Sequence, residues 1–524
     1  MLRPASLCLV LLSLAIAGCL GPTAPGSPSG SAAGAARLVC YDDNSTSLCN
    51  FEATLDPETR QANELSIAVN PLDPQNIIAT GKDYTPEYAG ECVWDGLYTT
   101  LDGGRTWKNQ NVPGSPWKRL QDPSEPFTPV SNFWCATDPV VAFGPDGTAY
   151  WAVMPYQCDP LSGSKTGREI VPGSGVGIPG SPATGGGGGL NDWFWTCSSM
   201  FVLVSDDDGM TWPVERMRRV AIGPRLEHDK MWLTTAPNGN VLLCWDRSSD
   251  ADAGLVPIPD QRIPHNAMVC SVSSDKGASW SEVTDMNNGW AGGLPWVDYG
   301  PDNVAWAAFI DGRSVLVSRS QDGLAWEDPV AVAPYANPPP NAEYGWPGLN
   351  GSRFRTFTLP VLTVDRTNGT FGGSVYVLWM DHSGDDADVL LSFSRDDGQT
   401  WSPPARVHDD EPALHADQFL PAMSVGPDGT LDLSWLDRRY DPAHHLIDLA
   451  YTYSVDGGAT FAPSLRVTDA SFDEQYSHHQ NGAVFLGDYR DSDSFAGGAH
   501  VVWTDTRHQI ADVFVATVLR PGTP

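Results

Sequence analysis

Aspartate and arginine recur at several places in the sequence, each time shortly after an apolar segment that often contains Trp. A guanidinium group binds a carboxylate through two parallel hydrogen bonds, so several such arginines around one opening would hold an anionic ligand. The same side chains would also serve as ion pairs between neighbouring parts of the fold, and this alternative stays open. The candidates are Asp246, Arg247, Arg313, Asp437, Arg438, Arg439, Asp505 and Arg507.

An acidic cluster near the C-terminus is the one place where the sequence suggests a metal ion. Asp488, Asp491 and Asp493 offer carboxylate oxygens, the ligands that calcium prefers. We expect either no cofactor at all or a calcium ion at this cluster.

The repeating element that must position these residues has the form Ser/Thr-x-Asp-x-Gly-x-Thr-Trp and occurs six times, with small variations. Its Asp can accept backbone N–H bonds across a tight turn, its Gly supplies a positive φ, and its Trp packs on the sheet. These carboxylates are therefore predicted to hold turns and not to catalyse. They are Asp102, Asp207, Asp275, Asp322, Asp396 and Asp456.

A second element, two apolar strands joined by a polar turn, recurs seven times, and the first six copies are each followed by one Asp repeat. The order strand, turn, strand, loop, strand, Asp turn, strand describes a four-stranded antiparallel blade. We therefore predict an all-β propeller of seven blades, with six as the alternative. The last blade lacks a strand, and residues 37–56 are predicted to supply it and close the ring.

In such a blade the polar turns and the Asp turns share one face of the ring. The ends of the second strands, with their Asp and Arg residues, must then surround the opposite opening of the central channel. The beginnings of the blades lie on that face too. They add Asp138, His228, Asp229, Lys230 and Asp417.

The Asp repeat resembles the Asp box, or bacterial neuraminidase repeat, of the sialidase superfamily. That resemblance implies a glycan ligand, three arginines on a sugar carboxylate, a Tyr-Glu nucleophilic pair and an Asp acid/base. Glu474 and Tyr476 are the candidate nucleophile pair by proximity, with a solvated surface loop as the alternative. The chain departs from the family in its Arg-Ile-Pro motif, because Arg262-Ile263-Pro264 follows two Asp boxes where the family motif precedes the first.

The N-terminus is typical of an exported lipoprotein. Residues 1–18 have the form of a signal peptide, Ile16-Ala17-Gly18-Cys19 resembles a lipobox, and residues 19–36 are rich in Gly, Pro, Ser and Ala like a flexible tether. Residues 37–524 then form one propeller domain, held by lipid on Cys19 at the extracellular face of the membrane. A plain secretory signal is the alternative. Export favours disulfides, with Cys244–Cys270 and Cys158–Cys197 as the predicted pairs.

The net charge of −33 excludes nucleic acid as a partner, because no basic stripe offsets it. Two functions remain open. The first is a sialidase-type glycoside hydrolase, which requires free arginines converging in one pocket. The second is a noncatalytic surface propeller that binds a glycan or glycoprotein, in which each arginine is paired with a neighbouring Asp. The sequence does not predict the oligomeric state.

Overall fold

Short antiparallel strands make up most of the regular structure in the computed structural model. The lipobox, the tether, and the loops that contain the Arg-Ile-Pro motif lie outside the described residues. The structure describes residues 36–43, 46–48, 50–53, 61–84, 93–158, 197–224, 226–249, 267–286, 293–341, 345–480 and 483–522.

The strands form seven antiparallel sheets in which sequence order is also spatial order. The apolar strands pair across the polar turns, as the repeats predict. Blade 1 contains Ala62–Asn70, Asp73–Asp83, Trp94–Thr100 and Lys108–Asn111; blade 2 Phe133–Phe143, Ala149–Cys158, Cys197–Ser205 and Arg218–Pro224; blade 3 Leu226–Thr235, Val241–Ser249, Ala267–Ser273 and Thr284–Asp285; blade 4 Gly293–Tyr299, Ala305–Ile310, Ser314–Ser320 and Val330–Pro334.

The remaining blades follow the same order, except that the N-terminal segment supplies the outer strand of the last one. Blade 5 contains Val361–Val364, Val375–Asp381, Asp388–Ser394 and Ala405–Arg406; blade 6 Gln418–Val425, Leu431–Asp437, Asp448–Ser454 and Leu465–Arg466; blade 7 Ser492–Phe495, Gly498–Asp505 and Asp512–Leu519, paired with Arg37–Leu38 and Phe51–Glu52. The predictions of seven blades and of closure by an N-terminal strand are both confirmed.

The first strands of successive blades contact one another, and the last of these contacts joins blade 7 to blade 1. The first strands therefore line a central channel and the ring is closed. Two small hairpins and a few short helices decorate it, and no helix among the described residues is long and apolar enough to cross a membrane. These elements are the hairpins Tyr41–Asp43 with Thr46–Leu48 and His479–Gln480 with Ala483–Val484, the α-helix Pro116–Gln121, and the 3-10 helices Pro129–Asn132, Val214–Arg216, Pro412–Leu414 and Glu474–Tyr476.

The Asp-box carboxylates bind their own turns. In blade 2, the carboxylate of Asp207 accepts hydrogen bonds from the Ser205 hydroxyl, the Thr211 amide and the Thr211 hydroxyl, at 2.7–2.8 Å. Five further boxes repeat the pattern, with backbone amides alone replacing the Thr contacts in the shortened fourth box. These bonds hold the pKa of Asp207 below its usual value although partial burial acts to raise it.

The Asp-box glycines pack against the preceding blade. Gly209 has φ +77°, and a Cβ built there would lie 2.6 Å from Cγ2 of Ile78 in blade 1. Gly277 repeats the arrangement against Val204 of blade 2, at 2.9 Å. Glycine therefore meets two requirements at these positions, a left-handed backbone and close contact between blades.

A disulfide joins Cys244 to Cys270, which face each other on the second and third strands of blade 3. This pairing is one of the two that the sequence predicts, and it is confirmed. The side chains of Cys158 and Cys197 are outside the described part of the structure, so the second pairing stays a prediction.

Candidate functional site

The first strand of five blades contains a β-bulge near its beginning, on the side of the ring opposite the Asp boxes. One residue at each bulge has a positive φ of 45–65°. A bulge redirects a side chain, and a non-glycine residue with this backbone is strained. Because the same strained bulge occurs in five blades, we infer that it serves to position these side chains. The bulge residues are Glu64, Asp138, Lys230, Leu294 and Leu420.

The charged bulge residues meet across the channel. Lys230 Nζ lies 2.5 Å from Glu64 of blade 1 and 3.7 Å from Asp138 of blade 2. It also lies 2.9 Å from Asp488, which precedes the first strand of blade 7. Blades 3 and 7 are not neighbours in the ring, so the last ion pair crosses the axis. The sequence places Asp138 and Lys230 at this mouth, and the structure brings them into contact.

Two further cations complete this group, which we call the channel cluster: Glu64, Lys82, Asp138, Lys230, Arg355 and Asp488. Lys82, on the second strand of blade 1, lies 2.9 Å from Glu64 and 3.7 Å from Asp138. Arg355, from the connection between blades 4 and 5, donates two hydrogen bonds to Asp488, at 2.8 and 2.6 Å. Three carboxylates therefore face three cations, and the cluster is neutral overall.

The cluster is almost completely withdrawn from water, with Arg355 its most exposed side chain at 25%. Burial alone would lower the pKa of Lys82, but Glu64 and the other nearby acidic groups raise it well above its usual value. Burial would raise the pKa of Asp488, yet Arg355 and Lys230 hold it below its usual value. Both groups are therefore charged at neutral pH, as the balance of the cluster requires.

A small apolar pocket adjoins the cluster. The indole rings of Trp232 and Trp296 stack with centroids 3.3 Å apart, and Tyr489 meets Trp232 edge-on at 5.9 Å. The Lys230 ammonium lies 5.2 Å from the Tyr489 ring centre, so the two halves of the site share one residue. The cavity measures about 20 Å³, room for about one water molecule. It is lined by Lys230, Met231, Trp232, Leu294, Pro295, Trp296, Leu359, Pro360 and Tyr489.

Unusual protonation states accompany the cluster. Asp95 is fully buried on the third strand of blade 1, and burial, followed by the charge of Asp138, raises its pKa well above the usual value. Neither of its carboxylate oxygens has a hydrogen-bond partner among the described residues. Burial also lowers the pKa of His478 to about 4, and the ring of this residue stacks on Tyr84 at 3.7 Å. A buried carboxyl group with a strongly raised pKa can hold its proton and act as a hydrogen-bond donor.

The arginines predicted in blades 6 and 7 are paired with carboxylates. Arg439 binds Asp437 at 2.7 Å and Asp409 at 2.6 Å. Arg507 binds Asp505 at 2.7 Å and also contacts Asp469. Asp437 and Asp505 each accept a further hydrogen bond from the Trp two residues earlier.

Arg438 and Glu474 are brought together, and both are almost completely buried. The guanidinium lies 3.6 Å from the Glu474 carboxylate and 3.7 Å from Asp417. Tyr476 is 40% exposed in the same short helix, and no described hydrogen bond joins it to Glu474. The predicted nucleophile pair is therefore near Arg438 but outside the channel cluster.

The candidates of blades 3 and 4 lie apart from these. Asp246 accepts a hydrogen bond from the amide of the bulge residue Leu294 at 2.8 Å, and burial raises its pKa to about 7. Arg247 pairs in the sheet with His228, whose pKa falls to about 3 through burial and then through the charge of Arg247. Arg313 is exposed in a turn.

The three acidic residues considered as calcium ligands form ion pairs or hydrogen bonds with different partners. Asp488 belongs to the channel cluster. Asp491 accepts hydrogen bonds from Ser66 and Ile67, and Asp493 accepts one from the amide of Val69. The latter two therefore join blade 7 to the first strand of blade 1.

Sequence reasoning did not find Glu64, Lys82 or Arg355. A signal for the first was present, because Glu64 directly precedes the apolar run Leu65–Val69 of a strand that is buried along its length. An ionisable residue in such a strand is rare unless it is paired. Arg355 gave no signal, since it lies in a connecting segment distant in sequence from every partner.

Comparison with known proteins identifies no family. No family model matches the sequence, and no curated protein matches it. Solved structures of low similarity do match. A protein of unknown function from Dyadobacter fermentans is 11% identical with a TM-score of 0.41, covering 93% of this chain and 99% of its own. An α-L-arabinanase from Penicillium chrysogenum is 12% identical with a TM-score of 0.41, covering 90% and 98%. A leech intramolecular trans-sialidase is 13% identical with a TM-score of 0.43, covering 77% and 69%.

Proposed function

We propose that this propeller recognises a neutral carbohydrate at the channel mouth opposite the Asp boxes. The observation that carries the proposal is the channel cluster beside the tryptophan pocket, whose cavity has room for one hydroxyl group of a sugar but not for a whole ring. Aromatic walls next to a few fixed polar groups are typical of small-molecule sites, and sugars offer both apolar C–H faces and hydroxyl groups.

The charge balance of the cluster supports a neutral ligand over an anionic one. Each of Lys82, Lys230 and Arg355 already faces a carboxylate within 3 Å. A sugar carboxylate would have to displace one of these partners and leave it buried without its cation, which is costly. A hydroxyl group, which both donates and accepts, requires no such exchange.

Arg355 offers the cleanest test, because it is the most exposed member of the cluster. We expect Arg355→Ala to raise the dissociation constant for a ligand found on a glycan array about tenfold, since one charge-assisted hydrogen bond is worth about 1.5 kcal/mol. The measurement is isothermal titration calorimetry on the exported chain. Arg319→Ala is the matched control, because Arg319 pairs with Glu327 in blade 4 away from the cluster. Equal affinities of both variants and the wild type would contradict the proposal.

Hydrolysis of a neutral glycoside is the second candidate function. Glu64 and Asp138 lie 2.9 and 3.7 Å from the same Lys82 ammonium, so the two carboxylates are close to each other, as a catalytic carboxylate pair requires. Neutral aryl glycosides and a sialoside, each with a fluorogenic leaving group, separate the hypotheses. Release from a neutral substrate that Glu64→Gln abolishes supports hydrolysis. Release from the sialoside alone would favour the sialidase-type hypothesis and contradict a neutral ligand.

We also propose that the chain is exported and anchored by lipid on Cys19. The support is the sequence Ile16-Ala17-Gly18-Cys19 after an apolar run, followed by a Gly/Pro/Ser-rich segment. The measurement is incorporation of a labelled fatty acid in a bacterial host. Label retained in Cys19→Ser would contradict the anchor.

A further inference from the structure

The N-terminal closing strand meets the last blade at a group of three potential metal ligands, outside the channel. Glu52 lies on the strand Phe51–Glu52, opposite Phe514 in blade 7. His508 and Asp512 lie in the turn before that same strand of blade 7 and at its first residue. His508 Nδ1 is 3.5 Å from Glu52 Oε2 and 3.3 Å from Asp512 Oδ2.

These distances fit three ligands of a tetrahedrally coordinated metal ion. One potential ligand atom from each residue lies within 4.8 Å of the other two. Ligands bonded to Zn²⁺ at about 2.1 Å are about 3.4 Å apart along a tetrahedral edge. The two measured separations bracket that value. Imidazole together with carboxylates suits Zn²⁺ better than calcium, which takes oxygen ligands.

An independent observation concerns the buried ligand. Asp512 is completely buried, and its Oδ1 has no hydrogen-bond partner among the described residues. A buried carboxylate oxygen without a partner carries a desolvation cost that a bound cation would offset. His508, at 48% side-chain exposure, leaves the group open to solvent on one side.

We propose that Glu52, His508 and Asp512 bind a Zn²⁺ ion that fastens the N-terminal strand to blade 7. Three protein ligands leave one position for water. A second trio, His445, Asp473 and Glu474, has similar spacing. There the Arg438 guanidinium already lies 3.6 Å from Glu474 and would repel a metal ion, so that trio makes a matched comparison.

The test titrates Zn²⁺ into the untagged, chelator-treated full chain against a chromogenic chelator. We expect one site in the wild type and in His445→Ala, and a loss of affinity of at least about 100-fold in His508→Ala and Asp512→Asn, since even indirect ligand contacts are worth 10–100-fold. Because His508 is exposed, its replacement is expected to leave the fold intact, which circular dichroism checks.

Thermal unfolding supplies the second readout. Saturating Zn²⁺ is expected to raise the Tm of the wild type and of His445→Ala by a few degrees, but not that of His508→Ala, because an ion that binds only the folded chain stabilises it. Equal Zn²⁺ binding by the wild type and His508→Ala would overturn the site. Binding of Ca²⁺ without Zn²⁺ would overturn the assigned ion, and no binding of either would leave an ordinary ion pair of His508 with its carboxylates.

Discussion

Lys82 and Lys276 both pair with carboxylates, yet their surroundings differ sharply. The Lys82 side chain is 8% exposed and that of Glu64 not at all, whereas Lys276 and Asp146 are 59% and 41% exposed on the Asp-box face. In the buried pair, loss of one partner leaves a charge with neither water nor a counterion. In the exposed pair, water replaces the lost partner.

We therefore expect Lys82→Met to lower the free energy of unfolding by about 3–5 kcal/mol, because the carboxylates of Glu64 and Asp138 lose a buried cation. Lys276→Met is expected to cause no measurable change. Urea unfolding followed by tryptophan fluorescence measures both. Similar effects of the two substitutions would show that the channel cluster is more hydrated than its burial indicates.

At the scale of the blade, the Asp-box glycine joins one sheet to the next. Gly209 and Gly239 both have positive φ, at +77° and +88°. A Cβ at Gly209 would lie 2.6 Å from Ile78 of the preceding blade, while nothing lies within 4 Å of one at Gly239. Comparison of the two positions separates backbone strain from contact between blades.

Gly239→Ala is expected to cost about 1–2 kcal/mol of unfolding free energy, from backbone strain alone. Gly209→Ala is expected to cost about 1–3 kcal/mol more, because the added methyl group overpacks the contact between blades. Chemical unfolding at one pH measures the difference. If both variants lost the same stability, the close approach of Gly209 to Ile78 would be irrelevant to packing.

The blades were predictable because their signals are local. A turn that needs Asp at one position and Gly shortly after it can be recognised within eight residues. Six copies of that turn predict a ring of repeated blades. The channel cluster is different, because Glu64, Lys230 and Arg355 come from three distant parts of the chain. Bulges have no composition signal of their own, so the sequence indicated the mouth and two of its residues, Asp138 and Lys230, but not the ion pairs across the axis.

At the scale of the whole molecule, which has a net charge of −33, buried acidic residues make the free energy of unfolding depend on pH. Burial raises the pKa of Asp246 and Asp491 to about 7 and of Asp493 to about 6, with Asp493 adding to the shift of Asp491. Unfolded Asp has a pKa of about 3.9. Between these values each of the three carboxyl groups binds more protons in the folded chain than in the unfolded chain, so its contribution to stability rises as pH falls.

We expect the free energy of unfolding to increase from pH 7.5 to about pH 6.5. Below that pH the histidines His228 and His478 oppose the rise, because their pKa values of about 3 and about 4 lie below the unfolded value of about 6.5. Below about pH 4 the free energy of unfolding should decrease, because the pKa of Asp488 is lowered in the folded chain and its stabilising contribution is lost as pH falls through that value. Urea unfolding across this range measures the profile, and Asp491→Asn should flatten its upper part. Constant or falling stability between pH 7.5 and about 6.5 would contradict the assigned protonation of these buried acids.

Pairing of Arg37 with Leu519 has a consequence for synthesis. Blades 1 to 6 lie between these partners in the sequence, so a ribosome must synthesise all of them before the ring can close. Earlier blades can form as they emerge, but blade 1 has no neighbour on one side until the last strands arrive. Truncated products that lack Asp512–Leu519 should therefore expose an unpaired sheet edge and aggregate, whereas in the longer chain this strand pairs with Arg37–Leu38.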